Sequence, residues 1–372
     1  MSTNTEAKLE IDKIVTEERL LGTERRWRRF GDVIPAGKSL NDDGTPDYGI
    51  FGPGSIVWDV LLHPATIVFE TVAQATLQLQ YKPIAAGLRD IDPLSVKARD
   101  GSLTAFDSFE RAQRNSGMHA PMWFGDTPTA TRMADFLHKI HGHVHGDVID
   151  VSTPELGGYA ASEPRDAMWA AITELHPILW MYERFAYHGE DGPRRLTDEQ
   201  RDQYVREMGA YLRLVGAVEE EIPRTMAELD ALYDKYSDFF DHSETINVLP
   251  ETGEDYLEIV NRTMKQNWHP SQQLAVDVLH EVYIQVEDAI KATFPERLQI
   301  KAGMDEARRA EVAQALEDSQ DLIRQLQQPD NERRLMRMMW GPDGVTLIES
   351  ARELHQQALR ERAQNPSKEN AI

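Results

Sequence analysis

Leu137-His-Lys-Ile-His-Gly-His-Val-His-Gly146 holds four of the chain's twelve histidines within eight residues. Together with Met133 and Phe136 upstream, Leu137, Ile140 and Val144 recur at steps of three and four, which is the spacing of one apolar helix face. The spacing predicts an amphipathic helix over 127–145, with His138, His141 and His145 at i, i+3 and i+7 bordering that face. A neutral imidazole held against an apolar wall is a group that can ligate a buried iron. The same stripe also reads as a solvated helix end, where the dipole favours histidine. Spacing alone leaves both readings open.

Helical periodicity extends outward from this stretch over nearly the whole chain. A lead-in helix is expected at 5–21 and an irregular Gly/Pro/Asp/Asn-rich loop at 31–54. An apolar block follows at 56–62 and 64–80, where Pro64 suits a first helical turn and Ile67, Val68, Val72, Ala75 and Leu79 form the expected buried stripe. Pro83 starts a short helix, and further helices are expected near 104–123, 163–188, 197–218, 225–241, 252–268, 271–292, 303–326, 330–339 and 345–363. Ser162, Thr197 and Ser271 supply start signals. Alternating β-branched runs bounded by tight turns are absent, which argues against a sheet. The fold class read from the sequence is all-α, a single large helical domain. Its expected organisation is a helical extension at 1–30, the main domain at 31–363 and a frayed tail at 364–372.

Composition narrows the chemistry. With 372 residues and a net charge of −23, the chain is poorly suited to nucleic acid or anionic lipid, both of which need clustered Lys and Arg. There is no cysteine, so thiolate ligation, iron–sulfur clusters and disulfides are excluded. The N-terminus lacks an apolar signal core and no run of about 18 apolar residues exists, so no membrane span is expected and the cytoplasm is the default compartment. Di-iron bundles require paired Glu-x-x-His, but only a single Asp277-Val-Leu-His280 comes close. His-Glu-x-x-His, Gly-x-Ser-x-Gly, Walker and dinucleotide-binding motifs are absent. A histidine-ligated haem, or no cofactor, is what remains.

Four patches then carry a resemblance to a known family. They are Gly52-Pro-Gly-Ser-Ile-Val-Trp58, Gln78-Leu-Gln-Tyr-Lys-Pro83, Arg114-Asn115 followed 26 residues on by Ile140-His141-Gly-His-Val-His-Gly146, and Tyr159-Ala-Ala-Ser-Glu-Pro164 with Trp169. Stretches 216–223 and 225–229 also fit. In this order they resemble, over roughly residues 50–300, the catalytic-domain family of rubber oxygenases (latex clearing proteins) and the ER-bound oxygenase of mycophenolic acid biosynthesis. The resemblance implies a b-type haem in a globin-like helical core, with His141 as the axial iron ligand. Arg111 and Arg114 match basic residues on the distal side, and Asn115 stands where the family usually has Thr. His138 and His145 flank the ligand, where they meet propionates or support it. A guanidinium or amide aimed into an apolar pocket donates hydrogen bonds to bound dioxygen or its reduced form. Arg111 and Arg114 read alternatively as ion-pair partners of Glu110 or Asp107.

Lys82 and Ala171 stand where the family commonly has His, and the rubber oxygenases are secreted, which argues against polyisoprene as substrate. The function implied is a haem-dependent oxygenase acting with dioxygen on an apolar small molecule, alkenes among the candidates. A haem carrier or gas sensor without turnover is the alternative, and a cofactor-free helical scaffold or a non-haem metal site stands behind it. The sequence leaves homo-oligomerisation open. Trp58, Trp123, Trp169 and Trp180 are expected as core or haem-wall aromatics, and Met336, Met338, Met339 and Trp340 as a core cap. His176 is the second choice of ligand, and Arg25-Arg26-Trp27-Arg28-Arg29 reads as a solvated or propionate-facing patch.

Overall fold

Helix starts in this chain are written locally. Thr104 caps the helix Ala105–Phe124 in a reciprocal box with Asp107, and Thr197 with Gln200 does the same for Asp198–Leu214. Asp126 accepts from the Thr129 amide at the head of Thr127–His141. His63 caps Pro64–Gln78 through Nδ1, a role its sequence neighbourhood does not advertise. Ser162 does not cap as expected; Glu163 occupies that position and makes no side-chain cap bond.

The computed structural model describes residues 13–21 and 32–364, without the side chains of 273–280. Most of the expected N-terminal extension, the Arg25–Arg29 cluster and the tail beyond 364 lie outside the described residues. In chain order the helices are α1 (Glu17–Leu21), α2 (Ile56–Leu61), α3 (Pro64–Gln78), α4 (Lys82–Asp90), α5 (Pro93–Arg99), α6 (Ala105–Phe124), α7 (Thr127–His141) and α8 (Pro164–Phe185). They continue as α9 (Asp198–Leu214), α10 (Met226–Lys235), α11 (Tyr256–Gln266), α12 (Gln273–Lys291), α13 (Glu296–Lys301), α14 (Glu306–Asp318), α15 (Gln320–Leu326) and α16 (Pro329–Gln364). α16 is two helical stretches meeting at Gly341 (φ 71°, ψ 173°), just before Pro342, as the break expected between 339 and 345 requires. Strand pairing is confined, among the described residues, to isolated bridges and one antiparallel pair, β1 (His145–Gly146) with β2 (Tyr159–Ala160). The fold is all-α and a single domain.

α3 packs along α8, α6 along α16, and α6 against α7. Trp58, Trp123, Trp169 and Trp340 are essentially inaccessible at the centre, where two of the indole N–H groups reach backbone carbonyls: Trp58 to Trp123 at 3.0 Å and Trp340 to Ile67 at 2.9 Å. Two expectations change. α7 ends at His141, because Gly142 caps it and the next amides close back by three residues, His143 to Ile140 and Val144 to His141. His145 therefore sits on β1 rather than on the helix. The buried face of α3 is also rotated from the expected stripe: Ile67, Glu70, Ala73, Gln74 and Leu77 face inward, whereas Leu79 is 45 % exposed.

Arg89 on α4 ties the chain leaving α7 to the body. Its inaccessible guanidinium donates to the carbonyls of Val148 (2.8 Å), Ile149 (3.0 Å) and Ile246 (3.0 Å), and to the Asp90 carboxylate. Removing it strands the buried Ile149 carbonyl, two partly buried carbonyls and an acid. Arg89→Met is expected to lower unfolding free energy by about 3–5 kcal/mol, read from a denaturant titration; a loss below about 1 kcal/mol would show that these bonds are replaced by solvent.

Candidate active site

α4, α6, α7 and α8 line an open-mouthed pocket of about 900 Å³. That is at the upper end of the range used for small-molecule sites. Ile84, Leu88 and Ile91 line it from the α4 side, Met118 and Met122 from α6, and Phe136, Leu137, Ile140 and Val144 from α7 and the turn after it. The apolar face read from the sequence around 133–144 is thus the wall of a chamber. Gly146 is held small by this wall, since a Cβ there would lie 2.6 Å from the Tyr159 ring. Tyr159 itself lines the cavity and hydrogen-bonds Asp90 at 3.0 Å.

His141, the last residue of α7, belongs to the lining and has intermediate exposure. Burial holds its imidazole below the ordinary histidine pKa; Glu174 opposes this, and the positive charges of Arg111 and His138 add to it. It is therefore neutral at pH 7, as a ligating imidazole must be. Among the described residues its ring makes no hydrogen bond, ion pair or ring contact. Nor do three or more His, Asp or Glu side chains converge among the described residues into a metal-holding set. A lone imidazole on an apolar chamber suits a group that brings its other ligands with it, as a porphyrin iron does, better than a bare ion. The residues present therefore fit a haem.

Arg111, Arg114 and Asn115 all line the same chamber from α6, so the structure brings together the basic pair, the amide and His141. Each is engaged. Arg111 Nε donates to Asp92 at 2.9 Å, Arg114 pairs with Glu110 at 3.0 Å, and Asn115 donates to Gln74 at 2.8 Å. Asp107 is instead taken up by Thr104 and Lys97. His138 and His145 are exposed and outside the lining, which His143 joins. His176 is fully buried in the core near Tyr233 and Trp180, away from the chamber. Trp58, Trp123, Trp169 and Trp180 are core, not wall.

A cluster that sequence reading missed forms one patch of this wall. His119 on α6 is sandwiched between acids from two other helices: Nδ1 lies 2.7 Å from Glu70 of α3, and Nε2 lies 3.5 Å from Glu174 of α8. Its ring stacks on Trp123 at 4.4 Å with a 7° tilt. Burial works against its charge, but Glu174 and Glu70 outweigh that and raise its pKa to about 9. The one available signal was a charged residue, Glu70, in the apolar run 64–80.

Because the folded pKa is raised above 6.5, this group's stabilisation is fully present below pH 6.5 and is lost as pH rises through about 9. Chemical denaturation across that window should show wild type losing about 2–4 kcal/mol that His119→Phe does not lose; parallel profiles would refute a charged His119.

A protein-family model described as ER-bound oxygenase mpaB/B′/Rubber oxygenase, catalytic domain, matches residues 58–364. No curated protein matches the chain, and no solved structure does.

Proposed function

The chain belongs to the family of ER-bound and rubber oxygenase catalytic domains, and from that membership we propose a b-type haem-dependent oxygenase. It acts with dioxygen on an apolar small molecule, alkenes among the candidates, in the cytoplasm. The observation that carries this reading is a neutral, unpartnered His141 on an apolar chamber that also bears Arg111, Arg114 and Asn115.

Haem b held through His141 would supply the activation of dioxygen. The remaining work falls to the chain. Phe136, Leu137 and Ile140 keep water from the reacting groups and orient an apolar substrate. Arg111, Arg114 and Asn115 donate to developing negative charge. Arg114 is cheaply recruited, because its pair with Glu110 is largely solvated, with side chains 42 % and 29 % exposed, and such pairs are worth little. Asn115 is the more rigid donor, since Gln74 holds its amide and Glu70 holds Gln74. His138 and His145, exposed on either side of His141, are suited to meeting propionates.

Chain produced with haem supply should show a Soret band that His141→Ala loses or shifts, and should consume oxygen in the presence of an apolar alkene. Colourless protein would overturn the reading, whereas a stable ferrous oxygen complex with no organic product would favour a carrier or sensor. In the active enzyme, Asn115→Ala and Arg114→Ala are each expected to lower kcat by about 10²-fold, with Soret intensity retained.

A further inference from the structure

Among the described residues, the two acids that face His119 on the chamber wall are unequally bonded. Glu70 is saturated: its carboxylate accepts from His119 and Thr71 at 2.7 Å, Ser116 at 3.0 Å and Gln74 at 3.2 Å. Glu174 is not. Its Oε2 accepts from the Tyr211 hydroxyl at 2.7 Å, but among the described residues Oε1 is approached only by His119 Nε2 and Gln78 Nε2, both at 3.5 Å. That distance is beyond a good hydrogen bond. Because Nδ1 of His119 already faces a carboxylate and Nε2 faces a second, the ring carries an N–H on each nitrogen. His119 and Glu174 both line the chamber, so its wall presents one under-used donor and one under-used acceptor 3.5 Å apart.

We propose that this pair is a recognition site for a single hydroxyl group, which makes the substrate class of the chamber an apolar alcohol. The inference rests on reading the chamber as the oxygenase's substrate site. A hydroxyl oxygen about 2.8 Å from each atom accepts from His119 Nε2–H and donates to Glu174 Oε1, whereas four other head groups each fail in at least one of these two bonds. An ammonium meets the imidazolium, a carboxylate meets Glu174, an ether leaves Glu174 without a donor, and a plain hydrocarbon leaves both groups unpaired. Leu88, Met118, Met122, Phe136 and Leu137 supply the surface for the hydrocarbon remainder. A site built to bond a hydroxyl rejects the analogue lacking it far more strongly than a greasy pocket rejects a missing methylene.

Calorimetric titration of the full chain, haem-loaded and not, with 1-octanol, octyl methyl ether, octylamine and octanoate tests this. The alcohol should bind at least about tenfold tighter than each of the others, and Glu174→Gln should abolish that preference. Equal binding of alcohol and ether by wild type overturns the inference, and does so even if Glu174→Gln fails to fold. The outcome is independent of turnover. An alcohol preference in protein that takes up no haem supports the hydroxyl site while removing the oxygenase reading, and indifference to the head group in an active, haem-loaded enzyme does the reverse.

Discussion

His119 between Glu70 and Glu174 is the interaction on which the rest of the site depends. It joins α6 to α3 and α8, the helices that carry most of the chamber's polar lining, at a point with almost no solvent. Three ionisable groups buried together are costly unless each is matched. Here the matching is thorough on one side, where Glu70 has four donors, and deliberately loose on the other. Trp123 stacked under the imidazole adds a ring face to the cation. Losing His119 would leave two buried carboxylates without their shared cation rather than a simple gap.

The same cluster reaches the two groups that define the chamber. Glu70 bonds Gln74, which holds Asn115, so that amide is positioned by the buried acid. Glu174 also acts electrostatically on His141, pulling its pKa upward against burial. His141, the Asn115 amide and the His119–Glu174 pair are thus coupled through two carboxylates. A change at Glu174 alters the chamber wall and the basicity of His141 together.

Much of this was legible in the sequence because it is written between near neighbours. Thr104 with Asp107 and Thr197 with Gln200 announce their helices, and the break before Pro342 follows from its missing N–H. Of the apolar steps read as one face, Phe136, Leu137 and Ile140 line the chamber from α7 and Val144 joins them from the turn beyond it. Where reading failed, a distant partner or the turn after a helix decided the outcome. α7 closes at His141 in a three-residue turn, and the chain beyond it pairs His145 with Ala160. On α3, counting apolar residues favoured Val68, Val72 and Leu79, but the face that turned inward carries Glu70 and Gln74.

The sequence by itself determined an all-helical chain, the family, and the grouping of Arg111, Arg114 and Asn115 on one helix with His141 on the next. Only the tertiary structure decided that Glu70 and His119, 49 residues apart, meet inside the core with Glu174, and that this sets which face of α3 is buried. Periodicity and capping are properties of residues within a turn or two of each other. Whether a charge can be buried depends on the opposite charge that another segment brings to it.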